Sequence, residues 1–181
     1  MQLKHIFILL SFLFVGTIAN EETLSWNESR KLTWDDFKGS PNSNSDAVAL
    51  TASGITFGYS VKTTNDRIVG YSASVEAHFY PNKSWYKTSK ADDYILAHEQ
   101  LHFDITELYV RKFRQQLERL VVNQNIKTQL NQIHQAINKA LDKTQKTYDE
   151  ETNHSINNAA QKYWQEYVHK ELEKLDNFKS Q

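Results

Sequence analysis

The hydrophobic pattern changes period near residue 85, and no single type of secondary structure accommodates both halves. From about residue 48 to 80 apolar residues alternate. Ile55, Phe57, Tyr59 and Val61 share one parity, and Tyr71, Ala73, Val75, Ala77 and Phe79 repeat it after the polar Thr64-Asn65-Asp66. A period of two puts each series on one face of a strand, so this segment reads as an antiparallel β-hairpin. From about residue 89 the period is helical. Ser89, with Asp92 three residues on, resembles a capping pair, and Ile95, Leu101, Ile105, Leu108 and Tyr109 follow at helical spacing in a helix reaching about residue 121. Asn123-Gln124-Asn125 breaks the run. A second helix then carries Ile126, Leu130, Ile133, Ile137, Leu141 and Thr144. After Tyr148 to Asn153, a third carries Ile156, Ala160, Tyr163 and Tyr167. Strands first and helices later predict an α+β domain. Ahead of the hairpin, Leu32-Thr33-Trp34-Asp35-Asp36-Phe37 reads as a packed turn, followed by a loop. Trp34, Trp85 and Trp164 read as packing anchors, and His134 and His169 as solvated helix residues.

The first residues read as an export signal. Lys4 and His5 give a basic start, Ile6 to Val15 an almost unbroken apolar run, and Thr17-Ile18-Ala19 small residues suited to a signal peptidase. Residues 1–19 are therefore expected to be a signal peptide cleaved near Ala19. Residues 20–181 would remain as one domain, secreted or periplasmic. The run is shorter than the roughly 20 residues of a membrane span, and no later segment is apolar enough to cross, so no span is expected in the mature chain. A net charge of −1 gives no electrostatic reason to expect nucleic acid as a partner. The absence of cysteine excludes a disulfide scaffold and a thiolate zinc site, so a metal would have to be held by histidine and carboxylate.

Such ligands are present in the first helix as His98-Glu99-Gln100-Leu101-His102. Two histidines four residues apart lie about 40° apart on a helix at roughly 100° per residue, close enough to bind one zinc ion together. Glu99 can reach a water on that ion and take its proton as the water attacks a carbonyl. Asp104 and Glu107 point away from the histidines. With no glycine or proline between His98 and Leu120 to turn the helix, they read as supporting or surface carboxylates. A third ligand should come from Tyr148-Asp149-Glu150-Glu151-Thr152-Asn153-His154. There His154 would complete a three-histidine site, and Glu150 or Glu151 a two-histidine, one-glutamate site. His78 on the hairpin is a reserve ligand.

These motifs, together with Leu32-Thr33-Trp34-Asp35-Asp36-Phe37-Lys38-Gly39, resemble a family of predicted secreted bacterial zinc-dependent proteases catalogued as a domain of unknown function. The resemblance covers essentially the whole mature chain in the same order. The family pattern is histidine-glutamate-x-x-histidine, then tyrosine-aspartate-x-x-threonine-x-histidine-glycine. His98, Glu99, His102, Tyr148, Asp149, Thr152 and His154 match it, and Ser155 replaces the glycine. The resemblance implies a zincin-like fold, a Zn2+ cofactor, a protein or peptide substrate, and His154 as third ligand beside His98 and His102. Beside this, Asp149 is expected to accept the free N–H of a ligand histidine or to cap the third helix, with Thr152 as another cap. Tyr148 is a candidate catalytic donor to a developing oxyanion, or else a core residue. The expected function is a secreted zinc peptidase with Glu99 as general base. The alternatives are an amidase of cell-wall peptides and a metal-stabilised binding module without turnover. A metal-free helical adhesin is the remaining reading.

Overall fold

A computed structural model describes residues 21–180 of the chain. The expected signal peptide, residues 1–19, lies outside the described residues. The alternating segment forms two long strands, β3 (Ser53–Thr64) and β4 (Arg67–Phe79), paired antiparallel. Asn65 and Asp66 join them at φ 48° and 59°. Left-handed backbone at both central residues is the two-residue turn whose twist matches that of a hairpin, and Asn and Asp tolerate it best after glycine. β1 (Leu24–Ser25) pairs with the end of β4 and gives the order β1-β4-β3. A second, two-stranded ladder joins β2 (Ala49–Leu50) to β5 (Trp85–Tyr86).

Three helices follow: α1 (Asp93–Glu118), α2 (Ile126–Thr152) and α3 (Asn158–Lys174). Among the described residues no helix is long and apolar enough to cross a membrane. The cap of α1 is Asp92, whose carboxylate accepts from the Ile95 amide at 2.8 Å, so the helix starts later than Ser89. Asn157 caps α3 in the same way through the Ala160 amide, which leaves Asp149 and Thr152 out of that role. The buried stripe of α3 is also one residue off the expected register. Gln161, Trp164 and Val168 face inward, while Ile156 and Tyr163 are exposed.

α1 separates two cores. On one face Phe103, Val110, Phe113 and Leu117 meet Val75, Ala77 and Phe79 of the sheet and Ile126, Leu130 and Ile137 of α2. On another, Leu101 and Ile105 meet Leu141, Tyr148, Trp164 and Val168. Full burial of one such side chain stabilises by roughly 1.5–3 kcal/mol, and Phe79, Phe113, Ile126 and Leu130 are all fully buried. His134 is half-buried at the edge of the first core, its ring stacked on Phe113 at 5.9 Å, rather than fully solvated as expected; His169 is exposed.

Glu107 is no surface carboxylate either. It is fully buried, accepts from Arg111 Nε at 2.9 Å and from the Ser180 amide and hydroxyl, and so ties the chain end to α1. Asp104 accepts from the Trp26 indole at 2.7 Å and holds the N-terminal segment against the same helix.

The stretch Thr33 to Gly39 is locked by its own polar groups. Asp36 accepts from the Thr33 amide (2.8 Å), the Thr33 hydroxyl (3.2 Å) and Arg30 Nη2 (2.6 Å). A Cβ on Gly39 would sit 2.8 Å from the Ser84 carbonyl oxygen, so only glycine allows this loop to approach the β5 turn. Burial raises the Asp36 pKa, but the Thr33 and Arg30 bonds outweigh it and hold the carboxyl below its ordinary 3.8. A depressed carboxyl contributes stability that is present above pH 3.8 and is lost as pH falls through the folded value. Asp36→Ala is expected to cost about 1–3 kcal/mol at pH 7. Urea titrations of both proteins at pH 7 and pH 3 check this, and the gap should narrow at pH 3.

Candidate metal centre

His98 and His102 lie on the side of α1 that meets α2. The same face of α2 carries Gln145, Tyr148 and Asp149, so the two helices bring these five side chains together. His98 Nε2 and His102 Nε2 stand 3.3 Å apart, and Asp149 Oδ1 lies 3.2 Å from the first and 3.0 Å from the second. Among the described residues these three form a group able to hold a metal ion.

Each outer nitrogen faces the carboxamide oxygen of a glutamine. His98 Nδ1 is 3.0 Å from Gln161 Oε1, and His102 Nδ1 is 2.6 Å from Gln145 Oε1. A carboxamide oxygen only accepts, so each Nδ1 carries its hydrogen and, in the neutral ring, each Nε2 carries a lone pair. Two imidazole lone pairs and a carboxylate oxygen therefore converge on one point, a donor set that suits a cation. Ligands of a tetrahedral ion at 2.0–2.1 Å sit about 3.3 Å apart, which the observed 3.0–3.3 Å spacings approach.

Burial pulls the His102 pKa down, but the Asp149 carboxylate, Glu99 and Gln145 outweigh this, and the net shift is upward. Burial likewise raises Asp149, but hydrogen bonds from His102 and His98 carry it well below the usual carboxylate range.

Glu99 is buried at 5 % exposure, and its Oε2 has no hydrogen-bond partner. Leaving such an atom unpaired costs about 1–3 kcal/mol or more for a charged group. Thr51 anchors the backbone at this point by donating to the Glu99 carbonyl oxygen at 3.2 Å. Glu99 is close enough for its charge to act on both His102 and Tyr148.

Tyr148 is fully buried. Its ring stacks on His98 at 4.5 Å and meets His102 edge-on at 4.9 Å. Its hydroxyl donates to Gln161 Oε1 at 2.6 Å, and burial raises its pKa far above the ordinary value. It therefore forms the floor under the histidines, and its hydroxyl is committed inside the protein rather than facing a substrate.

The expected third ligand, His154, does not share the cluster. α2 continues to Thr152, so Asp149 still points at α1, while Asn153, His154 and Ser155 follow at φ 49°, 52° and 72°. That left-handed turn swings His154 outward. Its side chain is 75 % exposed, with Nδ1 4.0 Å from Asp149 Oδ1. Ser155 stands in the backbone conformation that favours glycine, which accounts for the glycine of the family pattern at that place.

The other candidates are engaged elsewhere. Glu151 accepts from the Trp164 indole at 2.7 Å, and Glu150 is exposed. His78 lies on the hairpin with Thr56 and Ser25 as partners. Thr152 is buried and donates back to the Tyr148 carbonyl. A groove of about 610 Å3 lies elsewhere on α1, lined by Trp26, Leu96, Leu101, Val168 and Leu172, and contains none of the cluster.

Gln145 and Gln161 were not foreseen in the sequence. The available signal was weak: Gln161 is the polar member of a stripe with Trp164 and Val168, and Gln145 precedes Asp149 by one helical turn.

The sequence model of one family, described as "Bacterial protein of unknown function (DUF922)", matches residues 30–155. The chain belongs to that family. The DUF922 match begins at Arg30, beside the Asp36 turn, and ends at Ser155, just past His154. It contains His98, Glu99, His102, Gln145 and Asp149, and stops before α3 and Gln161. No curated protein and no solved structure matches the chain.

Proposed function

We propose that this chain is a zinc-dependent hydrolase of peptide bonds, with His98, His102 and Asp149 holding the ion and Glu99 acting as general base. The observation that carries the reading is the convergence of two bare imidazole nitrogens and a carboxylate oxygen next to a buried, unpaired glutamate oxygen. A structural zinc site closes with four protein ligands, whereas three leave a position for water or substrate. Zinc there would supply Lewis acidity, lowering the pKa of a water and polarising the substrate carbonyl. Glu99 takes the proton of the attacking water and returns it to the leaving nitrogen. His154, at the exposed rim, is free to meet an incoming substrate.

The arrangement is zincin-like, with a histidine-bearing helix packed on an antiparallel sheet. β3 is the outer strand of that sheet, and its open edge suits an extended peptide. The leader-like residues 1–19 support an activity outside the cytoplasm. An amidase of cell-wall peptides would use the same machinery on another substrate. A purely binding module would have no use for a buried base beside the ligands.

Incubation with a broad peptide library and cell-wall fragments tests the reading. Cleavage should vanish on removal of metal with a chelator and return on adding zinc. Cleavage that survives complete metal removal would contradict it.

A further inference from the structure

Each ligand histidine is held at its far nitrogen by an uncharged glutamine, and each glutamine comes from a different helix. Gln145 on α2 takes the Nδ1–H of His102, and Gln161 on α3 takes that of His98. The orientation of Gln145 is fixed on its other side, because its Nε2 donates to the His102 carbonyl (2.8 Å) and to Thr106 Oγ1 (3.3 Å). Gln161 is 1 % exposed. Its Oε1 takes both the Tyr148 hydroxyl and His98, and its buried Nε2 is left with no partner. An apolar side chain of the same length would avoid that unpaired donor and still fill the space beside Trp164 and Val168. Packing therefore gives no reason for an amide at this position, whereas an acceptor facing both His98 Nδ1 and the Tyr148 hydroxyl does.

We infer that Gln145 and Gln161 are positioning residues that fix both imidazoles in the Nδ1–H tautomer and so present both Nε2 atoms to the metal. The inference rests on the metal reading above. Neither residue touches the ion. Each acts through one histidine, and through them α2 and α3 are both coupled to the two ligands on α1. Hydrogen bonds to ligand imidazoles fix the tautomer and raise ligand basicity, and their loss typically weakens metal binding 10- to 100-fold.

The test is zinc affinity of the mature chain by chelator competition, for wild type and for Gln145→Met, Gln145→Glu, Gln161→Met and Gln161→Glu. The methionine variants are expected to bind zinc about 10- to 100-fold more weakly. The glutamates keep an acceptor for the Nδ1–H and should stay within about threefold of wild type, by the same reasoning. Nitrogen-15 spectra of the zinc-loaded wild type should show a protonated Nδ1 on both rings, with slow hydrogen exchange that the matching methionine variant loses. Methionine variants binding as tightly as wild type would overturn the inference alone. So would equal losses with methionine and glutamate, since a packing or amide-donor role predicts that result. A wild type that binds no zinc would overturn the metal reading and this inference with it.

Discussion

Glu99→Gln is expected to leave zinc affinity and folding nearly unchanged while lowering turnover by about 10²- to 10⁴-fold, the usual contribution of a general base. The residue is buried beside the histidines but belongs to none of the three ligand positions, so the ion should not register its charge as a lost bond. Glutamine has the same shape and can stay in the Thr51-anchored turn of α1, but its amide cannot take a proton from water. The unpaired Oε2 should make the substitution easy on the fold, because replacing a carboxylate by an amide removes a buried charge. Paired measurements of zinc content and kcat on the best library substrate check both halves. Turnover equal to wild type at equal zinc would exclude Glu99 as the base.

The second large effect concerns Asp149. Asp149→Ala removes the only carboxylate among the three converging atoms and leaves two neutral imidazoles to hold a divalent ion. Stoichiometric zinc binding should be lost, with catalysis lost alongside it. His154→Ala should retain the zinc, because its side chain is 75 % exposed and lies outside the group of three converging atoms. The same two-histidine, one-carboxylate donor set also serves iron(II) in other proteins. On the proposed reading Glu99 is a base with no ligand role, which favours hydrolysis and therefore zinc.

The layout was legible in the sequence where a period runs long enough to read. Alternation across β3 and β4 and the apolar stripes of α1 and α2 each repeat several times, and those elements formed as expected. β1, β2 and β5 are two residues each and carry no period, so nothing announced them. The histidine pair was readable because His98 and His102 both sit inside one helix, where spacing alone sets their geometry.

The residue that joins the two histidines was not readable, because it depends on where α2 stops. Asp149 and His154 are five residues apart, and each could have faced α1. A helix ending before Asp149 would have freed His154 to turn inward. The helix instead runs to Thr152, which fixes Asp149 toward the histidines and Glu151 toward Trp164. The glutamines escaped notice for another reason: an uncharged polar residue on a helix is ordinary until the partner across the interface is known. Glu107 and His134 show the same limit. Glu107 is held from Ser180, far along the chain, and His134 is half-buried against Phe113 of another helix, neither of which a local pattern connects to them.

The most direct test of the metal centre is the zinc content per chain of wild type, Asp149→Ala and His154→Ala, purified side by side and measured by elemental analysis. One zinc per chain in wild type and His154→Ala, with none in Asp149→Ala, is the predicted result. Zinc retained by Asp149→Ala and lost by His154→Ala would contradict the ligand set, and iron or no metal in wild type would contradict the zinc centre itself.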